Sequence, residues 1–214
     1  MSFSEARDEE RLADAILLLG NGGLYTSKDC LKDNLHSFND KRILFNLILN
    51  VYANDGYGFP RSVILKAKSL AKEIPQEERL KGLLNGDPIT VYRADSCNST
   101  HSLTPVKTAP SWTTNKNVAI WFAYRLYWGY KEHGIEPPSP PLTIWKAEIP
   151  RDKIIAYLTD RNEFEVLQHN NVRNLEIIHA PADDEIRAAF EEHARLYEQH
   201  LQELIQTLKP ENDQ

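Results

Sequence analysis

The spacing of apolar residues along the chain changes near Pro88. Before that point, apolar side chains recur every three or four positions, which is the period of an amphipathic helix. Clusters of Gly, Asn and Pro separate these segments, and Asp40 is a residue type that favours the N-cap of a helix. The first 86 residues are therefore predicted to form a helical block. Its helices are predicted over 8–19, from Ser27, after Asp40, over 62–73 and over 76–84.

Short runs rich in β-branched and aromatic residues follow Pro88, and they predict strands. A helix is predicted over about 117–130, and the residues 114–117 include good N-cap types. A long amphipathic stripe predicts a last helix that begins at Asp183 and ends at Pro210. It is expected to pack on the core, and a helix that binds a partner is the alternative. The strands are predicted over 89–93, 142–149, 153–158, 163–168 and 175–179, and a loop is predicted over 96–110.

Together these patterns predict an α+β fold. The N-terminal helical region covers 1–86, a compact β core of two sheets covers 87–180, and a C-terminal helix and tail cover 181–214. The chain contains no Gly-rich phosphate loop, so a dinucleotide site on a doubly wound parallel sheet is not expected.

Composition narrows the class of protein. The 214 residues are 41% hydrophobic and 26% charged, which is typical of a soluble globular protein. The net charge of −6 provides no global basic field, and this mildly disfavours a nucleic-acid partner.

Cysteine usage and the absence of long apolar runs indicate the compartment. The two cysteines, Cys30 and Cys97, make neither a metal cluster nor a disulfide framework, so a cytoplasmic protein without a metal site is expected. The acidic and polar residues 1–8 predict no signal peptide, and no run is long enough to predict a membrane span.

Three polar features follow one another in the β-rich half. Arg93 ends a predicted strand, the step Ser111–Thr113 precedes a predicted helix, and Glu163 and Glu165 lie in a later predicted strand. Side chains alternate along a strand, so the two glutamates are predicted to share one face with their Cα atoms about 6.5 Å apart. Carboxylates that close should raise one pKa or attract a cation.

Each feature also has a structural interpretation. Arg93 is of the type that forms partly buried ion pairs. Ser111 and Thr113 are common hydrogen-bonding residues before a helix, and the two glutamates suit a solvated strand edge. The order of the three features is more informative than any one of them.

The chain resembles the mono-ADP-ribosyltransferase family of the Arg-Ser-Glu class, including bacterial toxin members that place a helical block before the catalytic core. The resemblance covers about 87–180 and includes Ala119–Ala123 in the predicted helix. It implies that this region is a catalytic, ADP-ribosyltransferase-like split β core of two sheets. Its motifs are Val91–Arg93, Ser111–Thr114 and Glu163–Leu167. Two positions depart from the family pattern: Ala94 stands where Gly is common, and the Ser-Thr-Ser step is Ser-Trp-Thr, so only Ser111 maps directly.

The resemblance implies an enzyme that breaks the bond between nicotinamide and ribose in NAD, which serves as its substrate. Glu165 would stabilise the ribose cation, and Glu163 would orient or deprotonate the incoming nucleophile. Arg93 would hold the NAD phosphate or ribose, and Ser111 would position Glu165. Trp112, or an aromatic residue of 121–130, would stack on nicotinamide, and Thr113 would complete the NAD-binding set.

The acceptor implied by the resemblance is a macromolecule, either a protein side chain such as Arg or a nucleic-acid base. A toxin or defence effector is expected, with an antitoxin or a chaperone as a further partner and without a membrane. An NAD glycohydrolase and a non-catalytic NAD-sensing or interaction module stay open. A glycosidase would also use two carboxylates, but it usually takes them from separate strands, and it would give Arg93 and Ser111 no role.

Overall fold

A computed structural model describes seven stretches of the chain, and only these are discussed. They are residues 3–19, 26–54, 59–95, 104–137, 139–159, 163–178 and 180–208. Cys97, the first part of the predicted loop over 96–110, residues 160–162 and Pro210 lie outside them. The chain divides into two compact units, of which the first is Met1–Leu84 with Ile154–Tyr157 and the second is Asn85–Lys153 with Leu158–Gln214.

The described residues of the first unit contain five helices, in the places where the sequence predicts helices. The predicted first helix begins five residues earlier than expected, and the helix over 76–84 shortens to a single turn. The helices are α1 (Phe3–Leu18), α2 (Ser27–Asp33), α3 (Lys41–Asn54), α4 (Arg61–Leu70) and α5 (Gln76–Arg79).

Helix α3 is buried on most sides, as its run of apolar residues predicts. Its start is fixed by side chains. The Asp40 carboxylate accepts hydrogen bonds from the backbone N–H groups of Arg42 (2.8 Å) and Ile43 (3.2 Å), which confirms the predicted N-cap. The buried Glu9 carboxylate accepts two more, from the N–H groups of Asn39 and Asp40, both at 2.9 Å.

Beyond Asn85, helices and strands are interspersed. The elements are β1 (Ile89–Asp95), α6 (Thr104–Thr108), β2 (Ser111–Thr113), α7 (Lys116–Glu132), β3 (Thr143–Ile149), β4 (Ala156–Leu158), β5 (Glu165–Leu167), β6 (Arg173–Ile177) and α8 (Asp183–Leu208). A 3₁₀ turn, Arg151–Lys153, precedes β4. Neither α6 nor β2 was predicted, because each is at most five residues long and shows no clear period.

The expected pair of sheets is wrong: the strands of the described residues form one six-stranded sheet, in the order β4-β5-β2-β1-β3-β6. The unpredicted strand β2 is the physical reason, because it lies between β1 and β5 and joins the two halves. The pairing of β1 with β3 is continuous and antiparallel, whereas β1 meets β2 through the single pair Tyr92↔Thr113. Of the two pairings that β1 makes, the one with β2 is therefore much the shorter.

Helix α7 packs on the sheet, and α8 packs on α7. Tyr92 and Ala94 of β1 pack against their apolar cluster from the sheet side. The cluster consists of Ala119, Ile120, Ala123, Tyr124, Trp128, Ile144, Ile186 and Ala189. The predicted packing of the C-terminal helix is confirmed for its first half, whereas Tyr197, Leu201 and Ile205 in its second half are exposed.

No helix among the described residues combines the length and the apolar character needed to cross a bilayer.

Candidate active site

Three neighbouring strands carry the three predicted polar features. Arg93 lies near the end of β1, Ser111 begins β2, and Glu165 begins β5. In the antiparallel pairing of β2 with β5, Thr113 lies opposite Glu165 and Ser111 lies opposite Leu167. Opposed residues of an antiparallel pair project to the same face, so Ser111 is a diagonal neighbour of Glu165 on one face.

A chain of hydrogen bonds links Arg93, Ser111 and Glu165. Arg93 donates from Nη1 to the backbone carbonyl of Ser111 at 2.8 Å. The Ser111 hydroxyl donates in turn to Oε1 of Glu165. Arg93 and Glu165, which are far apart in sequence, are thus linked through the backbone and the side chain of Ser111.

The Glu165 carboxylate is held in a position where it has little contact with water. The residue is 6% exposed, and an ionised carboxylate at such a site is stable only when polar groups compensate for its lost hydration. The Ser111 hydroxyl supplies one of these groups. A carboxylate fixed in this way is suited to stabilise positive charge that develops beside it.

An ion pair with Asp95 also holds the guanidinium of Arg93 in place. Its Nε donates to Oδ2 of Asp95 at 3.0 Å, and the two side chains are 27% and 16% exposed. Asp95 was not among the predicted site residues. Its place two positions after Arg93 on a strand was the available signal, because such residues share a face.

The predicted geometry of the two glutamates is wrong. Strand β5 begins at Glu165, and Phe164 has a positive φ of 51°, so the strand does not continue back to Glu163. Alternation along an extended strand therefore does not place the two carboxylates on one face. Glu163 instead lies in a bend, half-buried.

Two threonines bind the backbone of this bend. The Thr113 hydroxyl donates to the carbonyl of Glu163 at 2.6 Å. The Thr114 backbone N–H donates to the carbonyl of Phe164 at 3.0 Å, and the Thr114 hydroxyl lies 3.4 Å from the same oxygen. The hydroxyl of Thr113, expected to contact NAD, is thus occupied by the protein itself.

Trp112 is a core residue rather than an accessible ring. It is 1% exposed, and its Nε1 donates to the carbonyl of Ala109 at 3.2 Å. Strand alternation explains this, since Trp112 projects opposite to Ser111 and Thr113. Its expected stacking on nicotinamide is therefore not retained.

The aromatic residues of α7 also have protein partners. Tyr124 and Trp128 belong to the core cluster. Trp121 stacks on His193 of α8, with ring centroids 3.6 Å apart and an interplanar angle of 5°. Burial, and then the charge of Arg125, lower the pKa of His193 below its usual range, so the stacked imidazole is neutral near pH 7.

The described residues contain no group of three or more His, Cys, Asp and Glu side chains arranged to hold a metal ion.

Comparison with protein-family models gave no match, and comparisons with curated proteins and with solved structures gave none either. Any assignment of function therefore rests on the residues and contacts described above.

Proposed function

We propose that the protein is a mono-ADP-ribosyltransferase of the Arg-Ser-Glu class, which cleaves NAD and transfers ADP-ribose to a macromolecular acceptor. The observation that carries the proposal is the contact between the Ser111 hydroxyl and the buried Glu165 carboxylate, with Arg93 bound to the carbonyl of the same serine. This arrangement supports the motif resemblance because the fold had to bring three distant segments together to form it.

The reaction breaks the bond between the nicotinamide nitrogen and the anomeric carbon of ribose. Nicotinamide leaves with the bonding electron pair, and the ribose carbon becomes cationic. Glu165 stabilises this cation. Because the ribose carbon carries no such charge in the ground state, the interaction favours the transition state and accelerates the reaction. Ser111 keeps the carboxylate in place so that little reorganisation is needed when the cation forms.

Arg93 binds the phosphate of NAD in this proposal. A guanidinium has five N–H donors, and the two bonds to Asp95 and Ser111 use only two of them. Because these bonds orient the group in advance, less side-chain entropy is lost when an anion binds.

Glu163 acts on the acceptor. As a general base, it removes the proton from the nucleophile while that nucleophile forms its bond to the ribose carbon. The acceptor is then a protein side chain such as Arg, or a nucleic-acid base. A protein with this activity would be a toxin or a defence effector, and an antitoxin or chaperone would be a natural partner.

The proposal is tested by incubating the purified protein with a whole-cell lysate and NAD labelled in the adenosine moiety. We expect release of nicotinamide together with label in macromolecules, recovered separately as protein and nucleic-acid fractions. The matched control is Glu165→Gln, which should release no nicotinamide above background and label neither fraction.

Other results would identify the alternatives. Nicotinamide release without macromolecular label would make the protein an NAD glycohydrolase. A rise in melting temperature with NAD, but without nicotinamide release, would make it a binding module. The proposal is contradicted if NAD is not cleaved to nicotinamide and also does not raise the melting temperature.

A further inference from the structure

The backbone between the two glutamates is held in an unusual conformation. Phe164 has a φ of 51°, in the left-handed region that bulky side chains rarely adopt. Such a residue keeps this conformation only where its surroundings enforce it, and these conformations are concentrated at functional sites. Two threonines hydrogen-bond to the backbone of this bend, and one of them also connects the bend to the start of a helix.

That residue is Thr113, at the end of β2. Its hydroxyl donates to the Glu163 carbonyl at 2.6 Å and accepts the backbone N–H of Asn115 at 3.1 Å. Thr113 is 8% exposed, so water competes little for these bonds. Asn115 is the N-cap of α7, and the hydroxyl therefore ties the bend to the start of a long helix.

Thr113 also lies opposite Glu165 in the pairing of β2 with β5. A single residue is thus paired with one glutamate and hydrogen-bonded to the backbone of the other. Glu165 has a separate anchor in Ser111, so loss of the Thr113 hydroxyl should disturb Glu163 far more than Glu165.

We propose that Thr113 is a positioning residue: it fixes the bend at Phe164 so that Glu163 faces the acceptor, and it thereby decides whether ADP-ribose goes to the acceptor or to water. This inference rests on the function proposed above. Without the hydroxyl, the backbone of Phe164 relaxes toward the extended region, and the Glu163 side chain moves away. A displacement of about 1 Å at a catalytic group can cost about 100-fold in rate.

The test compares Thr113→Val, which has nearly the same shape but no hydroxyl, with Thr113→Ser, which keeps it. Thr114→Val is the matched control, because it removes the neighbouring hydroxyl, which lies 3.4 Å from the carbonyl of Phe164 and not against that of Glu163. Nicotinamide release and acid-precipitable label from NAD are measured in a whole-cell lysate, and their ratio gives the fraction transferred.

We expect Thr113→Val to lower the transferred fraction at least tenfold while nicotinamide release and the KM for NAD stay within about threefold of wild type. Thr113→Ser and Thr114→Val should keep the wild-type fraction. In a Glu163→Gln background, Thr113→Val should cause no further loss of transfer, because both changes remove the same function.

The inference is overturned if folded Thr113→Val transfers the wild-type fraction, or if it loses nicotinamide release and transfer equally. If Thr113→Val does not fold, Thr113→Cys replaces it, since a thiol is a weak hydrogen-bonding group and should lower the fraction to an intermediate value. A wild-type protein that releases no nicotinamide would overturn the proposed function and this inference with it. Normal nicotinamide release by Thr113→Val, together with an unchanged transferred fraction, would overturn this inference alone.

Discussion

At the scale of single residues, Arg93 is oriented before any ligand binds, by Asp95 on one side and by the Ser111 carbonyl on the other. Arg93→Ala should weaken NAD binding about tenfold or more, which is the scale of losing a charge-assisted bidentate contact. Titration calorimetry measures the affinity. Arg93→Lys keeps the charge without the fork geometry and should give an intermediate value. Wild-type affinity in a folded Arg93→Ala protein would show that Arg93 does not bind NAD.

Glu163 provides a second prediction at this scale. Its carbonyl is held by Thr113, while its carboxylate has the role of a base in our proposal. Glu163→Gln should keep most of the nicotinamide release and lose at least 90% of the transfer, since general bases typically contribute about 100-fold or more. Both products are measured in one reaction with labelled NAD. If Glu163→Gln lost nicotinamide release and transfer equally, Glu163 would be needed for NAD cleavage as well as for transfer.

The sequence predicted which segments meet better than it predicted the geometry of their side chains. Arg93, Ser111 and Glu165 were chosen from motif order, and the fold brings them into contact. The prediction that the two glutamates share one face was wrong, because the period of a strand does not show where the strand begins. A positive φ at Phe164 has no signature in the sequence, since Phe is a common strand residue.

At the scale of elements, the length of a helix or strand determined whether it could be predicted from the sequence. The 14-residue α3 and the 17-residue α7 have enough turns for their periods and caps to be recognised. The three-residue strand β2 has no measurable period, and its place in the sheet depends on partners distant in sequence. Because β2 lies between β1 and β5, its short length also hides from the sequence that the strands form a single sheet.

Glu192 of α8 is hydrogen-bonded to the start of α7, and its charge depends on pH. Glu192 of α8 accepts hydrogen bonds from the side chains of Asn117 and Asn115, and chiefly the bond from Asn117 lowers the pKa of Glu192 below its usual 4.5. A lowered pKa in the folded state means that this stability is present above pH 4.5 and is lost as the pH falls through the folded-state value.

Glu192→Gln should therefore destabilise the protein by about 1 kcal/mol at pH 7, a modest amount because the group is partly exposed. Below pH 4.5 the difference from wild type should shrink as Glu192 becomes protonated. Urea denaturation at pH 7 and near pH 3.5 measures both values, with Glu191→Gln on the exposed side of α8 as the control. A difference that is the same at both pH values would show that the charge of Glu192 is not involved.

At the scale of the whole molecule, all the residues of the candidate site belong to the second unit. Helices α1–α5 belong to the first unit. The net charge of −6 gives the molecule no general attraction for nucleic acid. In the lysate experiment we therefore expect most of the label in the protein fraction.

The central claim is that the Glu165 carboxylate, held by Ser111, stabilises the cation formed when NAD is cleaved. Glu165→Gln keeps the shape and much of the hydrogen bonding but removes the charge, and it should cost about 3 kcal/mol or more in the transition state. The decisive measurement is the rate of nicotinamide release from NAD by wild type and by Glu165→Gln, with melting temperature and NAD affinity determined for both. We predict a fall in rate of about 100-fold or more at unchanged folding and similar affinity. Release by Glu165→Gln at the wild-type rate would contradict the account.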